Sequence, residues 1–127
     1  MLRWLLTLFM VAAGANHFVA AAAYVAMIPR ALPAPAALVA ISGVAEILGG
    51  LGLMLPATRR LAGWGLIALF VAIFPANINM AVHHLPLGDR VLPSWALWAR
   101  LPLQAALIVW AYWCSRPAKA DAPARVR

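Results

Sequence analysis

The sequence predicts an all-α fold, a transmembrane four-helix bundle with antiparallel, up-and-down topology. Three observations predict it. Apolar residues make up 66% of the 127-residue chain and charged residues 10%, against about 45–50% and about 25% in soluble domains. Mean hydropathy is +0.91, so there are too few polar side chains to cover a water-soluble globule, and lipid must supply part of the solvent. Finally, four apolar windows, each near the length of about 20 residues that a helix needs to cross the hydrocarbon, are separated by breaks rich in proline and charge.

The windows run over residues 4–28, 36–55, 62–81 and 95–114. In the first, the polar residues are Thr7, Asn16 and His17; Pro29, Pro33 and Pro35 then interrupt the chain, because proline lacks the N–H that would continue a helix. Ser42 and Glu46 are the polar residues of the second window, which Pro56 and the Arg59–Arg60 pair end. The third holds Asn77 and Asn79 and includes Pro75, where a kink is expected because the Val71 carbonyl loses its helical donor. His83 to Pro93 form the longest loop. The fourth window contains Arg100 and Gln104, with Pro102 between them. Residues 1–114 thus form one four-span membrane domain, and residues 115–127 a disordered, basic tail. An alternative reads Arg3, residues 4–13 and Ala13-Gly14-Ala15 as a signal peptide with its cleavage site; the apolar run continues to Ile28, longer than a signal needs, and favours a retained span.

Charge sets the orientation. With four spans, Arg3, Arg59, Arg60, Arg116, Lys119, Arg125 and Arg127 share one side, and Arg30 and Arg90 the other. The positive-inside rule then puts both termini in the cytoplasm, with the chain a multi-pass protein of the cell inner membrane. Trp4, Trp64, Trp95, Trp98, Tyr112 and Trp113 fall near span ends, where interfacial anchors belong. The net charge of +7 would suggest nucleic acid in a soluble domain, but these basic residues are scattered and have no aromatic platform, so nucleic acid is excluded. Cys114 is the single cysteine, which excludes an internal disulfide and the thiol-exchanging four-helix membrane enzymes. As the only thiol, at the cytoplasmic end of its span, it is also the natural site for topology labelling. No metal is expected, since His83 and His84 have only Asp89 near them. A bis-histidine haem is disfavoured because no second histidine shares the depth of His17.

Ionisable residues inside a membrane are expensive, and by default they mark a function. Glu46 lies about ten residues, roughly 15 Å, from the outer end of its span, and Arg100 enters from the outer end of the fourth. Both belong to the outer half, and pairing offsets the cost of desolvating each, so a Glu46–Arg100 ion pair is expected, direct or through Gln104 or water. Ser42 and Glu46 are i,i+4 and share a face, as do Arg100 and Gln104. Ala45, Gly49 and Gly52 extend the Ser42–Glu46 stripe and permit close helix approach. His17 beside Glu46 would be a proton carrier. The expected ligand-binding set is Glu46, Arg100, His17, Asn77 and Gln104; Asn16, Ser42 and Asn79 form a structural polar network. Asn77 and Asn79 are also suited to holding helices together or to bonding backbone groups freed by Pro75.

These residues resemble the DoxX-like family of small four-span membrane proteins over most of the chain, roughly residues 14–113. The resemblance rests on Asn16-His17-Phe18, on residues 41–66 with Gly43, Glu46 and Gly50, on residues 74–81 (FPANINMA) and on residues 98–104 (WARLPLQ), which contain Arg100 and Pro102. It implies a left-handed four-helix bundle and, because some members serve quinone-dependent sulfur oxidation or redox-stress complexes, a membrane subunit that binds quinone or lipid beside a redox partner protein. The chain has no thiol pair or cofactor motif of its own, so an accessory subunit of a quinone-linked oxidoreductase fits better than an independent enzyme. The bilayer, the redox protein and a second copy of the chain are the expected partners. Two alternatives stand beside this reading: a proton-coupled, multidrug-type transporter using Glu46, and a purely structural membrane anchor.

Overall fold

The computed structural model describes residues 1–86 and 89–117, and the expected tail lies outside the described residues from residue 118 onward. The described chain is all-helical: α1 (Leu2–Val19), α2 (Ala21–Met27), α3 (Pro35–Gly52), α4 (Arg59–His83) and α5 (Ser94–Ser115). By length and composition, α1, α3 and α4 can each cross a membrane. At 22 residues α5 is long enough but is not among them, because Arg100 and Gln104 interrupt its apolar run.

The helices follow the apolar windows, with differences at their ends that have local causes. The first window is two helices, broken at Ala20, whose φ and ψ of −113° and 38° leave the helical region. The break carries neither proline nor glycine; polar groups bridge it, with Asn16 Nδ2 donating to the Tyr24 hydroxyl at 2.9 Å. α3 opens on Pro35, whose fixed φ suits a first turn, and ends at Gly52, three residues short of the expected window. α4 starts three residues early and continues through Pro75 to His83, while α5 continues through Pro102 and takes in Ser115.

α1 and α3 run in opposite directions. On α1 and α3, Thr7 Oγ1 donates to the Gly50 carbonyl at 2.8 Å, whereas His17 lies beside Val39 and Ser42. Between these contacts the backbones touch: a Cβ on Gly14 would lie 2.5 Å from the Gly43 carbonyl oxygen, and one on Gly43 2.9 Å from the Gly14 oxygen. Only glycine permits that approach. α3 meets α4 through a different pair, Gly49 against Leu66 and Gly52 against Ala62. The expected single stripe of small residues is therefore two, Gly43 and Gly50 facing α1 and Gly49 and Gly52 facing α4, because α3 has a partner on each side.

The buried apolar residues form two clusters. Leu6, Met10, Leu53, Leu66, Phe70, Ala111 and Cys114 form one; Met27, Met80, Ala81 and Leu97 form the other. Outward faces are apolar as well, with Leu8, Ile41, Leu48, Val71 and Leu103 all exposed, the pattern of helices solvated by hydrocarbon rather than water. Trp4, Trp64, Trp95, Trp98 and Trp113 are likewise exposed.

Two arginines close helix ends. Arg3 Nε donates to the Cys114 carbonyl at 3.0 Å and its Nη2 to the Arg116 carbonyl, so the start of α1 and the end of α5 lie at one end of the molecule. Arg59, buried at the start of α4, donates from Nε to the Leu53 carbonyl at 3.0 Å, just past the end of α3. Guanidinium groups suit these positions because the last carbonyls of a helix have no internal donor and carry the negative end of its dipole.

Candidate functional site

A cavity of about 360 Å³ lies between the two apolar clusters, bordered by Met10 and Phe70 of one and Met27 of the other. Its walls are mostly apolar, with Phe9, Ile73, Leu103 and Leu107 among them, and its polar groups fall into two sets. Pockets of this size with a few convergent polar groups are the usual form of a small-molecule site.

The first set is His17, Ser42 and Glu46. Glu46 is only 4% exposed, and its Oε2 lies 3.5 Å from His17 Nε2 with no hydrogen-bond partner. On the other edge of the imidazole, Nδ1 lies 3.1 Å from the Val39 carbonyl and 3.0 Å from Ser42 Oγ. Nδ1 either donates to the Val39 carbonyl or accepts from the Ser42 hydroxyl, which also reaches Val39 at 3.0 Å, and Nε2 is the nitrogen that faces the carboxyl. Tyr24 covers the ring, with centroids 4.1 Å apart. The helix break at Ala20 sits between these two aromatic residues.

The second set comes from α4 and α5. Asn77 Nδ2 donates to Gln104 Oε1 at 2.7 Å, and Gln104 Nε2 donates to the Phe70 carbonyl. Arg100 reaches Asn77 Oδ1 at 3.5 Å and Met80 Sδ at 3.6 Å, long contacts that leave most of its five donors unused. Gln104 is 2% exposed, so Gln104→Leu strands one Asn77 N–H and removes the side-chain bond to the Phe70 carbonyl. The expected result is a loss of about 2 kcal/mol, read as a lower melting temperature in detergent.

The structure thus brings His17, Glu46, Asn77, Arg100 and Gln104, together with Ser42, to one cavity. It does not form the expected Glu46–Arg100 ion pair: the carboxyl faces His17, while the guanidinium turns to Asn77 and Met80. The rotation of α1 explains the change, since it presents His17 on the side of Glu46. Asn16 and Asn79 lie outside the cavity and join no common network. Asn16 bonds Tyr24, and Asn79 Nδ2 donates to the Met27 carbonyl at 3.0 Å, tying α4 to the end of α2. Neither asparagine of α4 bonds a backbone group beside Pro75; the Phe70 carbonyl, five residues earlier, is served by Gln104 instead. Tyr24 is the residue that sequence reasoning missed, although its place seven residues after His17, two helical turns on, was a usable signal. Cys114, expected to be open to labelling, is buried among Leu6, Phe70 and Ala111. Among the described residues no cluster of histidine, cysteine and carboxylate could hold a metal.

The model of a family described as a domain of unknown function, DUF8561, matches residues 6–115. The chain belongs to the DUF8561 family. No curated protein and no solved structure matches it. The matched residues of this DUF8561 protein run from the first turns of α1 to the last residue of α5 and include every residue that lines the cavity.

Proposed function

We propose that this DUF8561 protein is a DoxX-like integral membrane protein, a four-span up-and-down bundle that binds a small amphipathic ligand, lipid or quinone, in the cavity between His17–Glu46 and Arg100. The observation that carries the reading is a carboxyl oxygen, buried and without a hydrogen-bond partner, sharing a mostly apolar 360 Å³ cavity with an under-used guanidinium. Such groups are costly in a structural core and useful to a ligand that brings a donor and an acceptor. A cationic drug would be repelled by Arg100, which disfavours the exporter alternative. The chain then serves as a membrane subunit, with any redox centre on a partner protein.

The test is mass spectrometry of lipids and quinones that stay with the protein through purification from native membranes. One species should be enriched over bulk membrane in the wild type and depleted in Glu46→Gln and Arg100→Gln. A profile identical to bulk membrane in all three removes the reading.

The proposed placement is the inner membrane with both chain ends in the cytoplasm. The meeting of Arg3 with the end of α5 supports it, since an even number of crossings returns the chain to its starting side. Val91 is 77% exposed in the segment between α4 and α5. In a Cys114→Ser background, Val91→Cys should be modified by an impermeant maleimide on intact cells; modification only after lysis would reverse the orientation.

A further inference from the structure

We propose that the cavity takes up an organic monoanion with an apolar body together with one proton, the anion going to Arg100 and the proton to the Glu46–His17 pair. This rests on the ligand-binding reading and names the chemistry of the ligand.

The argument counts charges. Neutral His17 keeps one ring proton in either tautomer, and with Glu46 Oε2 3.5 Å from its Nε2 the pair can take up one more, the proton that comes and goes. With that proton the pair is neutral overall, whether written as imidazole and carboxylic acid or as imidazolium and carboxylate. Without it the pair carries one negative charge. The charged and titratable side chains facing the pair are few. α1 contributes His17 itself, α2 contributes Tyr24 and α5 contributes Arg100; the lining residues of α4 are Phe70, Ile73, Ala76 and Asn77, none of which titrates. Among the described residues Arg100 has no carboxylate at ion-pair distance, and its contacts are Asn77 Oδ1 and Met80 Sδ.

Two states of this cavity are therefore electrically balanced, and an unbalanced charge in such surroundings is strongly disfavoured. In the empty cavity the unprotonated pair balances Arg100 across the gap. In the occupied cavity a bound anion balances Arg100 directly, and an unprotonated pair would then put a second negative charge in the same small volume. A proton from bulk water, bonding to Nε2 or Oε2, removes that repulsion. Anion and proton thus favour each other's binding, and linkage makes the effect reciprocal. Phe9, Phe70, Leu103 and Leu107 fit an aromatic or short aliphatic body attached to the anionic group.

The test is calorimetric titration of the full chain in lipid nanodiscs with 2-naphthoate, with empty nanodiscs subtracted. Two buffers of different ionisation enthalpy, used from about pH 6 to about pH 9, give the protons taken up per ligand bound. Uptake should approach one per naphthoate in the upper part of the range and vanish for 2-naphthalenemethanol, which has the same body without the charge. Arg100→Gln should weaken naphthoate binding by about tenfold or more, and Glu46→Gln should bind naphthoate without uptake. Naphthoate binding without uptake at every pH overturns the proposal, as does uptake that survives Glu46→Gln. Should Glu46→Gln not fold, the wild-type and Arg100→Gln titrations decide the matter. If naphthoate does not bind, the proposal is overturned: binding of the neutral alcohol alone leaves the ligand-binding reading standing, and if neither binds that reading rests on co-purified species.

Discussion

Gly14→Leu should lower stability by about 3 kcal/mol or more, the upper end of overpacking costs, and should separate α1 from α3. The first atom of any side chain at Gly14 would lie 2.5 Å from the Gly43 carbonyl oxygen and 2.7 Å from a side-chain carbon of Ile47. The nearer obstacle is backbone, so no rotamer change relieves it; the helices must move apart. That movement also lengthens the Thr7–Gly50 hydrogen bond and draws His17 away from Glu46, so the cavity is lost with the crossing. Gly65 is the control. Nothing lies within 4 Å of a Cβ built there, so Gly65→Leu should be neutral or mildly stabilising through helix propensity. Melting temperatures of the two variants in one detergent make the comparison, and equal losses would show that the crossing is looser than described.

His17→Leu is the second large effect. It removes the ionisable neighbour 3.5 Å from the buried Glu46 carboxyl and the ring nitrogen that meets Val39 and Ser42, and leaving buried polar groups unpartnered costs about 1–3 kcal/mol. Adding Glu46→Leu should recover much of the loss, because an apolar pair of similar volume has no charge to desolvate. A double-mutant cycle between His17 and Glu46 should therefore show coupling of at least about 1 kcal/mol. The same cycle between Glu46 and Arg100, which make no direct contact, should show less. Equal coupling in the two cycles would mean that the carboxyl divides its time between the imidazole and the guanidinium.

The difference between these two cycles marks what the sequence could tell. Apolar runs bounded by Pro29, Pro56 and Pro93 locate the long helices, because hydropathy and proline act through local chemistry. Depth is partly legible: at a fixed rise per residue His17 and Glu46 share one level and Arg100 and Asn77 another, about 8 Å nearer the outer end, and all four line one cavity. Rotation about each helix axis is not legible. A residue's bearing changes by about 100° with each step along a helix, so a small error in where a helix starts exchanges one partner for another. His17 rather than Arg100 faces Glu46 for that reason. The break at Ala20 was hidden for a different one, since an alanine- and valine-rich run carries no helix-ending residue, and the interactions that hold the bend involve Asn16, His17 and Tyr24 across it.

The clasp of Arg3 on the end of α5 has a consequence for biosynthesis. The Cys114 and Arg116 carbonyls that Arg3 bonds lie 111 and 113 residues further along the chain, so they are translated well after it. Until α5 arrives these bonds cannot form, and the guanidinium must be satisfied by its surroundings instead. Joining the start of α1 to the end of α5 is therefore a late event, whereas α1 can settle on α3 through the Gly14–Gly43 crossing as soon as α3 has been made.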